Sequence, residues 1–149
     1  VTATIYTDGS CHTQSLKGGW AAIIFVDDEK VVLTGEAFNT THNRMELMAV
    51  IKAISYVQDK YSSITAMDII SDSQYVVGLA DRREKLTAQH FTTKKGTEIR
   101  NADLVKTLLT YIAELPLTFT KVKAHQKKDN ELNFNIEVDK LSRNIVRKP

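Results

Sequence analysis

A single cysteine, Cys11, stands in this chain of 149 residues. It can close no disulfide within the chain and cannot by itself build a thiolate zinc site, a usage that fits a reducing compartment. Two prolines and six glycines are too few for a linker-rich, collagen-like or low-complexity chain. No apolar run approaches the roughly 20 residues needed to cross a bilayer. The longest, Trp20 to Val26, has the length of a strand and ends at Asp27-Asp28. No basic-then-apolar leader opens the sequence, which starts Val1-Thr2-Ala3 without an initiator Met. Charge of neither sign dominates: 20 Lys and Arg stand against 18 Asp and Glu, a net +2, far from a histone-like polycation. What remains is globular composition, 42% hydrophobic and 26% charged, at the length of about one domain. The expectation is one domain over residues 1–149, cytoplasmic, monomeric and without membrane attachment.

The distribution of charge says more than its total. Residues 82–100 carry Arg82, Arg83, Lys85, Lys94, Lys95 and Arg100 against only Glu84 and Glu98. Lys121, Lys123, Lys127 and Lys128 flank His125. Each run reads as solvated surface when taken alone; two in one small domain favour a polyanionic partner.

Periodicity gives the order of elements. Thr2 to Thr7 is β-branched and aromatic and meets a turn signal at Asp8-Gly9-Ser10. Gly18-Gly19 opens a second strand to Val26, Asp27 to Lys30 reads as a hairpin turn, and Val31 to Phe38 returns as a third strand. Short loops make these an antiparallel meander. From Asn43 to Asp59, apolar residues at spacings of three and four predict an amphipathic helix, with Thr40 or Thr41 to cap it. A strand at Ile64 to Ser71 follows, then helical residues to about Ala80. The stretch Leu86 to Ile99 reads as a helix followed by a protruding loop. A helix from about Ala102 stops at Pro116, a strand covers Leu117 to Ala124, and a last helix covers about Asn135 to Val146. The strand-helix-strand step from the meander to the fourth strand implies parallel pairing and a right-handed crossover.

Four acids stand out against this pattern. Asp8 directly follows the first strand and Asp72 the fourth, at ends that parallel strands bring to one side of a sheet. Glu46 lies one residue before Leu47, in the expected first turn of the crossover helix, and Asp139 sits beside the apolar stripe of the last helix. Taken singly, each also reads as a turn, a cap, a helix-dipole charge or a surface acid. Gathered on one sheet edge they would repel, and would stay ionised only around a cation. An all-oxygen set suits Mg²⁺ rather than Zn²⁺.

Five strings carry a resemblance: Thr7-Asp8-Gly9-Ser10-Cys11, Asn43 to Ala49, Ser71 to Val76, Asn101-Ala102-Asp103-Leu104 and Asn135 to Leu141. In this order and spacing the chain resembles type 1 ribonuclease H over nearly its whole length. The resemblance implies the α/β ribonuclease H-like fold, a five-stranded mixed sheet in the order 3-2-1-4-5 flanked by helices. It implies endonucleolytic hydrolysis of the RNA strand of RNA–DNA hybrids by two Mg²⁺ ions, with Mn²⁺ as a substitute. Asp8, Glu46, Asp72 and Asp139 would be catalytic metal ligands, and His125 the family's histidine for proton transfer or product release. Gly9, Ser10, Cys11, Asn43 and Gln74 would touch the hybrid's minor groove and RNA 2′-hydroxyls, and Thr41 and Asn101 a DNA-strand phosphate. His42 and Gln14 replace asparagines common in the family. Gln126 to Leu132 are extra relative to compact bacterial members, and the basic segment lacks tryptophan, Trp20 being the sole one.

Rival readings keep the fold and change the substrate, as in a Holliday-junction resolvase or an integrase-type nuclease acting on DNA; Asn43 to Ala49 and Gln74 argue against them. A non-catalytic hybrid-binding module would need a lost carboxylate, and all four are present. A nucleotide-binding switch would need a Gly-rich loop after the first strand, which is missing. A free-standing enzyme and a reverse-transcriptase domain are both compatible with these motifs.

Overall fold

The structure, a computed structural model, describes residues 1–123 and 133–147. The chain runs β1 (Thr2–Cys11), β2 (Gly18–Val26), β3 (Glu29–Ala37), α1 (His42–Lys60), β4 (Ala66–Ser71), α2 (Gln74–Gly78), a 3₁₀ turn (Ala80–Arg82), α3 (Arg83–Ala88), α4 (Ala102–Glu114), β5 (Leu117–Lys121) and α5 (Phe134–Arg147). The five strands form one sheet in the order β3-β2-β1-β4-β5. β1, β2 and β3 pair antiparallel, and β4 is parallel to both β1 and β5. The mixed sheet expected from the sequence is the sheet observed.

Alternation along β1 and β2 sends side chains to two faces. Ala3, Ile5, Ala22, Ile24 and Val26 pack with Leu47, Val50, Ile54 and Val57 of α1 in the main core. Ala21 and Ile23 face the other way, against Val138 of α5, with Tyr6, Phe25, Phe134 and Leu141 around them. Being covered on both faces, β2 reads as a nearly unbroken apolar run. The predicted stripe of α1 is the buried one, and Thr41 is its cap: its side chain accepts from Arg44 N at 3.2 Å. Among the described residues no helix is long and apolar enough to cross a membrane.

Boundaries differ where tertiary pairing overrides local signals. Asp8-Gly9-Ser10 is not a turn: β1 continues to Cys11, paired with Gly18. The β2–β3 turn is only Asp27-Asp28, with Asp27 at φ 53° and Glu29 already in β3. The helical residues after Asp72 break into α2, the 3₁₀ turn and α3. The protruding loop follows, with an isolated bridge between Thr92 and Glu98 and a turn at Gly96, φ +83°. β4 starts at Ala66 and β5 ends at Lys121, both shorter than expected. Ala124 lies outside the described residues.

Gly9 keeps its place in a strand because α1 passes directly over it. A Cβ there would overlap the backbone nitrogen of Glu46 and come 2.5 Å from the carbonyl carbon of Met45. Backbone cannot yield as a side-chain tip can, so Gly9→Ala must displace the start of α1. The expected loss is about 1–3 kcal/mol, as for other overpacked sites, with a lowered midpoint in urea at unchanged m-value. Wild-type stability in that melt would mean α1 can rise off β1 freely.

Candidate active site

The parallel ladder between β1 and β4 ends at the pair Tyr6 and Ile70, while the β1–β2 ladder runs on to Cys11 and Gly18. The sheet thus opens between β1 and β4 at their C-terminal side, the switch point where an α/β sheet offers a crevice. Asp8 stands on β1 beyond the last parallel pair, and Asp72 directly follows β4. Glu46 reaches the same place from α1. It lies past the first turn of that helix, which holds no acid, and so it is not the helix-dipole charge considered above.

Asp8, Glu46 and Asp72 each bring a carboxylate oxygen to within 4.8 Å of the other two. Asp8 and Glu46 are buried, at 3% and 1% exposure. Backbone and hydroxyl donors hold them. Gly9 N donates to Glu46 Oε1 at 2.8 Å, and Ser142 Oγ of α5 donates to Asp8 Oδ2 at 2.6 Å. Ser10 Oγ lies 3.1 Å from the same serine hydroxyl. Glu46 Oε2 is buried without a hydrogen-bond partner among the described residues. A buried, unpartnered carboxylate oxygen is costly. Three carboxylates converging on one point form an oxygen-only donor set that fits a divalent cation. Burial, and then the neighbouring acids, push the Asp8 carboxyl up to about 7 despite the bond from Ser142. Burial, and then Asp8, push Glu46 up to about 9 despite the bond from Gly9.

Asp139 comes from α5 to the edge of this group. It lines the same cleft of about 230 Å³ as Asp8, Asp72, His42 and Arg143, and its charge helps to raise Asp8. Its carboxylate lies outside the 4.8 Å group and accepts from Arg143 Nε at 3.1 Å. His125 lies outside the described residues, with the extra segment Gln126 to Leu132.

Of the residues expected at the substrate, Gly9 and Ser10 line this cleft, and Cys11, Thr41, Asn43, Gln74 and Asn101 do not. Ser10 and Cys11 end β1, and Cys11 Sγ donates to Thr40 O at 3.4 Å. Asn43 is exposed in the first turn of α1, and Gln74 is exposed at the start of α2. Arg44 ties Thr41 and Asn101 into one region. It makes a two-pronged pair with Asp103, 3.0 Å on each arm, and reaches Asn101 Oδ1 at 3.5 Å. Asn101, at φ 61°, precedes α4 and donates from Nδ2 to Tyr75 OH at 3.4 Å. Two residues have a clear place here and no prior assignment, Ser142 and Arg143. Their signal was a polar residue within the apolar stripe of α5 and a cation one turn after Asp139.

A carboxylate cleft at the switch point of a 3-2-1-4-5 mixed sheet is the ribonuclease H-like architecture. A model of the RNase H family matches residues 2–147, and the chain belongs to the ribonuclease H family. It is 36% identical over 146 residues to a ribonuclease H of Chlorobium phaeobacteroides strain BS1, covering 97% of this chain and 94% of that one. It is 37% identical over 150 residues to a ribonuclease H of Chlorobium luteolum, covering 97% and 95%. Among solved structures, LC9-RNase H1, described as a type 1 RNase H with the type 2 active-site motif, superposes with a TM-score of 0.80. That match is 20% identical and covers 97% of this chain and 72% of the other. A foamy viral protease-reverse transcriptase in complex with RNA/DNA hybrid superposes at 0.78 and 16% identity. It covers 97% of this chain and 20% of that one.

The raised carboxyls make metal-free stability depend on pH. Asp8 and Glu46 bind protons more tightly folded than unfolded, so their stabilisation is complete below their ordinary values of 3.8 and 4.5. It is lost as pH rises through about 7 and then about 9. In chelator, the melting temperature should fall across that window, and Asp8→Asn should flatten the fall. A divalent ion that binds the folded cluster should restore stability at the alkaline end. Melts of both proteins against pH, with and without Mg²⁺, check this; a pH-independent wild type would contradict it.

Proposed function

We propose that residues 1–149 form one catalytic domain that cuts the RNA strand of RNA–DNA hybrids endonucleolytically at the Asp8–Glu46–Asp72 cleft. Family membership supports this reading, and one observation carries it. Three elements deliver three carboxylates to within 4.8 Å of one another, one of them with an oxygen that is buried and unpartnered.

Asp8, Glu46 and Asp72 are assigned as ligands of two divalent ions, with Asp139 completing the set from α5. Mg²⁺ is the assigned metal and Mn²⁺ its substitute. Two such ions, when bound, would supply an activated water and neutralise charge on the leaving oxygen. The chain's own part is to fix the donors in advance. Ser142 orients Asp8, Gly9 orients Glu46, and Arg143 orients Asp139. None of these acids then needs to search for its rotamer when substrate arrives. The end of β1 (Gly9, Ser10, Cys11) with Asn43 and Gln74 is read as the minor-groove edge that senses RNA 2′-hydroxyls. Thr41 and Asn101 are read as the seat of a DNA-strand phosphate. His125 is assigned the proton-transfer or release role. Cytoplasmic residence and a monomeric state complete the proposal, and Cys11, a free thiol, is compatible with both.

Digestion of a labelled RNA–DNA hybrid beside matched RNA–RNA and DNA–DNA duplexes tests the reading directly. Hybrid alone should be cut, in the RNA strand, and only with divalent metal. Asp8→Asn and Asp72→Asn should abolish cleavage while retaining hybrid binding; near-wild-type turnover in either removes the ligand assignment. His125→Ala should lose less, about 10²–10⁴-fold, as general acid–base help is worth. The loss should be larger in steady-state than in single-turnover rates if release is its task.

The basic segment has its own test. Exchanging two or three of Arg82, Arg83, Lys85, Lys94 and Lys95 for Glu should weaken hybrid binding evenly across sequences. It should also flatten the salt dependence by about one unit of slope per lost phosphate contact. An unchanged slope would return the segment to plain surface.

A further inference from the structure

A second cleft, of about 310 Å³, adjoins the acidic one and shares Ser10, His42 and Arg143 with it. The character of its wall differs. Where the first cleft is lined by Asp8, Asp72 and Asp139, the second is lined by Arg143 and Arg147 of α5 and by His12 and His42 across from them, with no acidic residue. Arg143 and Arg147 are four residues apart on one helix, so their side chains leave the same face. Arg147 is exposed and forms no ion pair among the described residues. Arg143 spans the boundary, with Nε on Asp139 at 3.1 Å.

We infer that this second cleft is a phosphate subsite for the RNA strand, seating the backbone phosphate next to the scissile one, with Arg147 as its principal ligand. The inference rests on the hybrid-cleaving reading above. The electrostatics favour such a device. A phosphate drawn to the cleft of Asp8, Asp72 and Asp139 is repelled except where bound cations face it, and for the flanking phosphate, displaced from that centre, a fixed protein cation replaces the counter-ions that solvent would otherwise supply. Guanidinium groups suit the task because their planar fork bonds two phosphate oxygens at once. The strand is assigned by contiguity. The two clefts share three wall residues, so a chain crossing the first passes into the second, whereas Thr41 and Asn101, assigned to the DNA strand, do not line this second cleft. An arginine in the last turn also complements the helix dipole, so the test must separate binding from support of α5.

The experiment uses the full chain, Mg²⁺ and a hybrid with one predominant cleavage site. Single RNA-strand linkages on either side of that site are replaced, one per substrate, by an uncharged methylphosphonate following a 2′-deoxy residue. Each is compared with a control bearing the same deoxy residue and a normal phosphate. Wild type should lose roughly tenfold in kcat/KM at one flanking linkage, the value of a charge-assisted contact. Arg147→Ala should lose a similar factor on the control, chiefly through KM, and lose little more on the neutral linkage. Arg147→Lys should recover part of the loss, and the melting temperatures of both variants should stay near wild type. Losses that simply multiply at every RNA linkage, or coupling to a DNA-strand linkage instead, would overturn the inference while leaving hybrid cleavage intact. A wild type that leaves every hybrid uncut would overturn the underlying reading, and the inference with it.

Discussion

The structure is organised around the crowding of carboxylates in a place with little water. Asp8 and Glu46 are almost wholly buried, Asp72 is beside them, and both buried acids are pushed far above their ordinary range. Such an arrangement opposes folding unless something compensates. Hydrogen bonds do part of this, through Gly9 N and Ser142 Oγ, but Glu46 keeps one oxygen unpartnered. The rest of the scaffold must hold that geometry against its own repulsion, and a packed sheet core on both faces is what makes this possible.

The close contact of α1 with β1 follows from the same need. Glu46 can accept from Gly9 N only if helix and strand approach at a distance no side chain permits. That approach also fixes the N-terminus of α1, from which Arg44 reaches across to Asp103 and Asn101 at the start of α4. One strand glycine thus links the acidic cleft to a region some way along the surface. On the opposite face, Ser142 does the corresponding work for α5, tying it to Asp8 and bringing Asp139 and Arg143 to the rim.

The charge layout is consistent with a polyanion lying across the cleft. Acids occupy the centre, and cations stand beside it at Arg143 and Arg147. Further cations lie in and near α3, where Lys106 also stacks on Phe91 at 5.2 Å. Net charge conceals this, since +2 for the whole chain is the sum of separated patches. Local segregation of sign, not overall excess, is what would orient a nucleic acid here.

Much of this was legible in the residues. The helical spacing from Leu47 to Val57, the apolar run of β2, and the acid Asp72 closing β4 are local patterns with local causes, and the five quoted strings identified the family. Other features were not legible. Asp8-Gly9-Ser10 carries the composition of a turn, yet β2 supplies pairing partners that extend the strand through it. Only the packing of α5 on β1 makes the Ser142 hydroxyl the donor to Asp8. The fold alone sets Arg143 on the wall of the carboxylate cleft and Arg143 together with Arg147 on the cleft beside it. The sequence by itself determined which segments bury which faces, because that depends on periodicity along the chain. The tertiary structure decided which groups meet at the site, because Asp8, Glu46 and Asp72 come from three separate elements and the hydroxyl that donates to Asp8 lies 134 positions along the chain at Ser142, and no local pattern encodes such contacts.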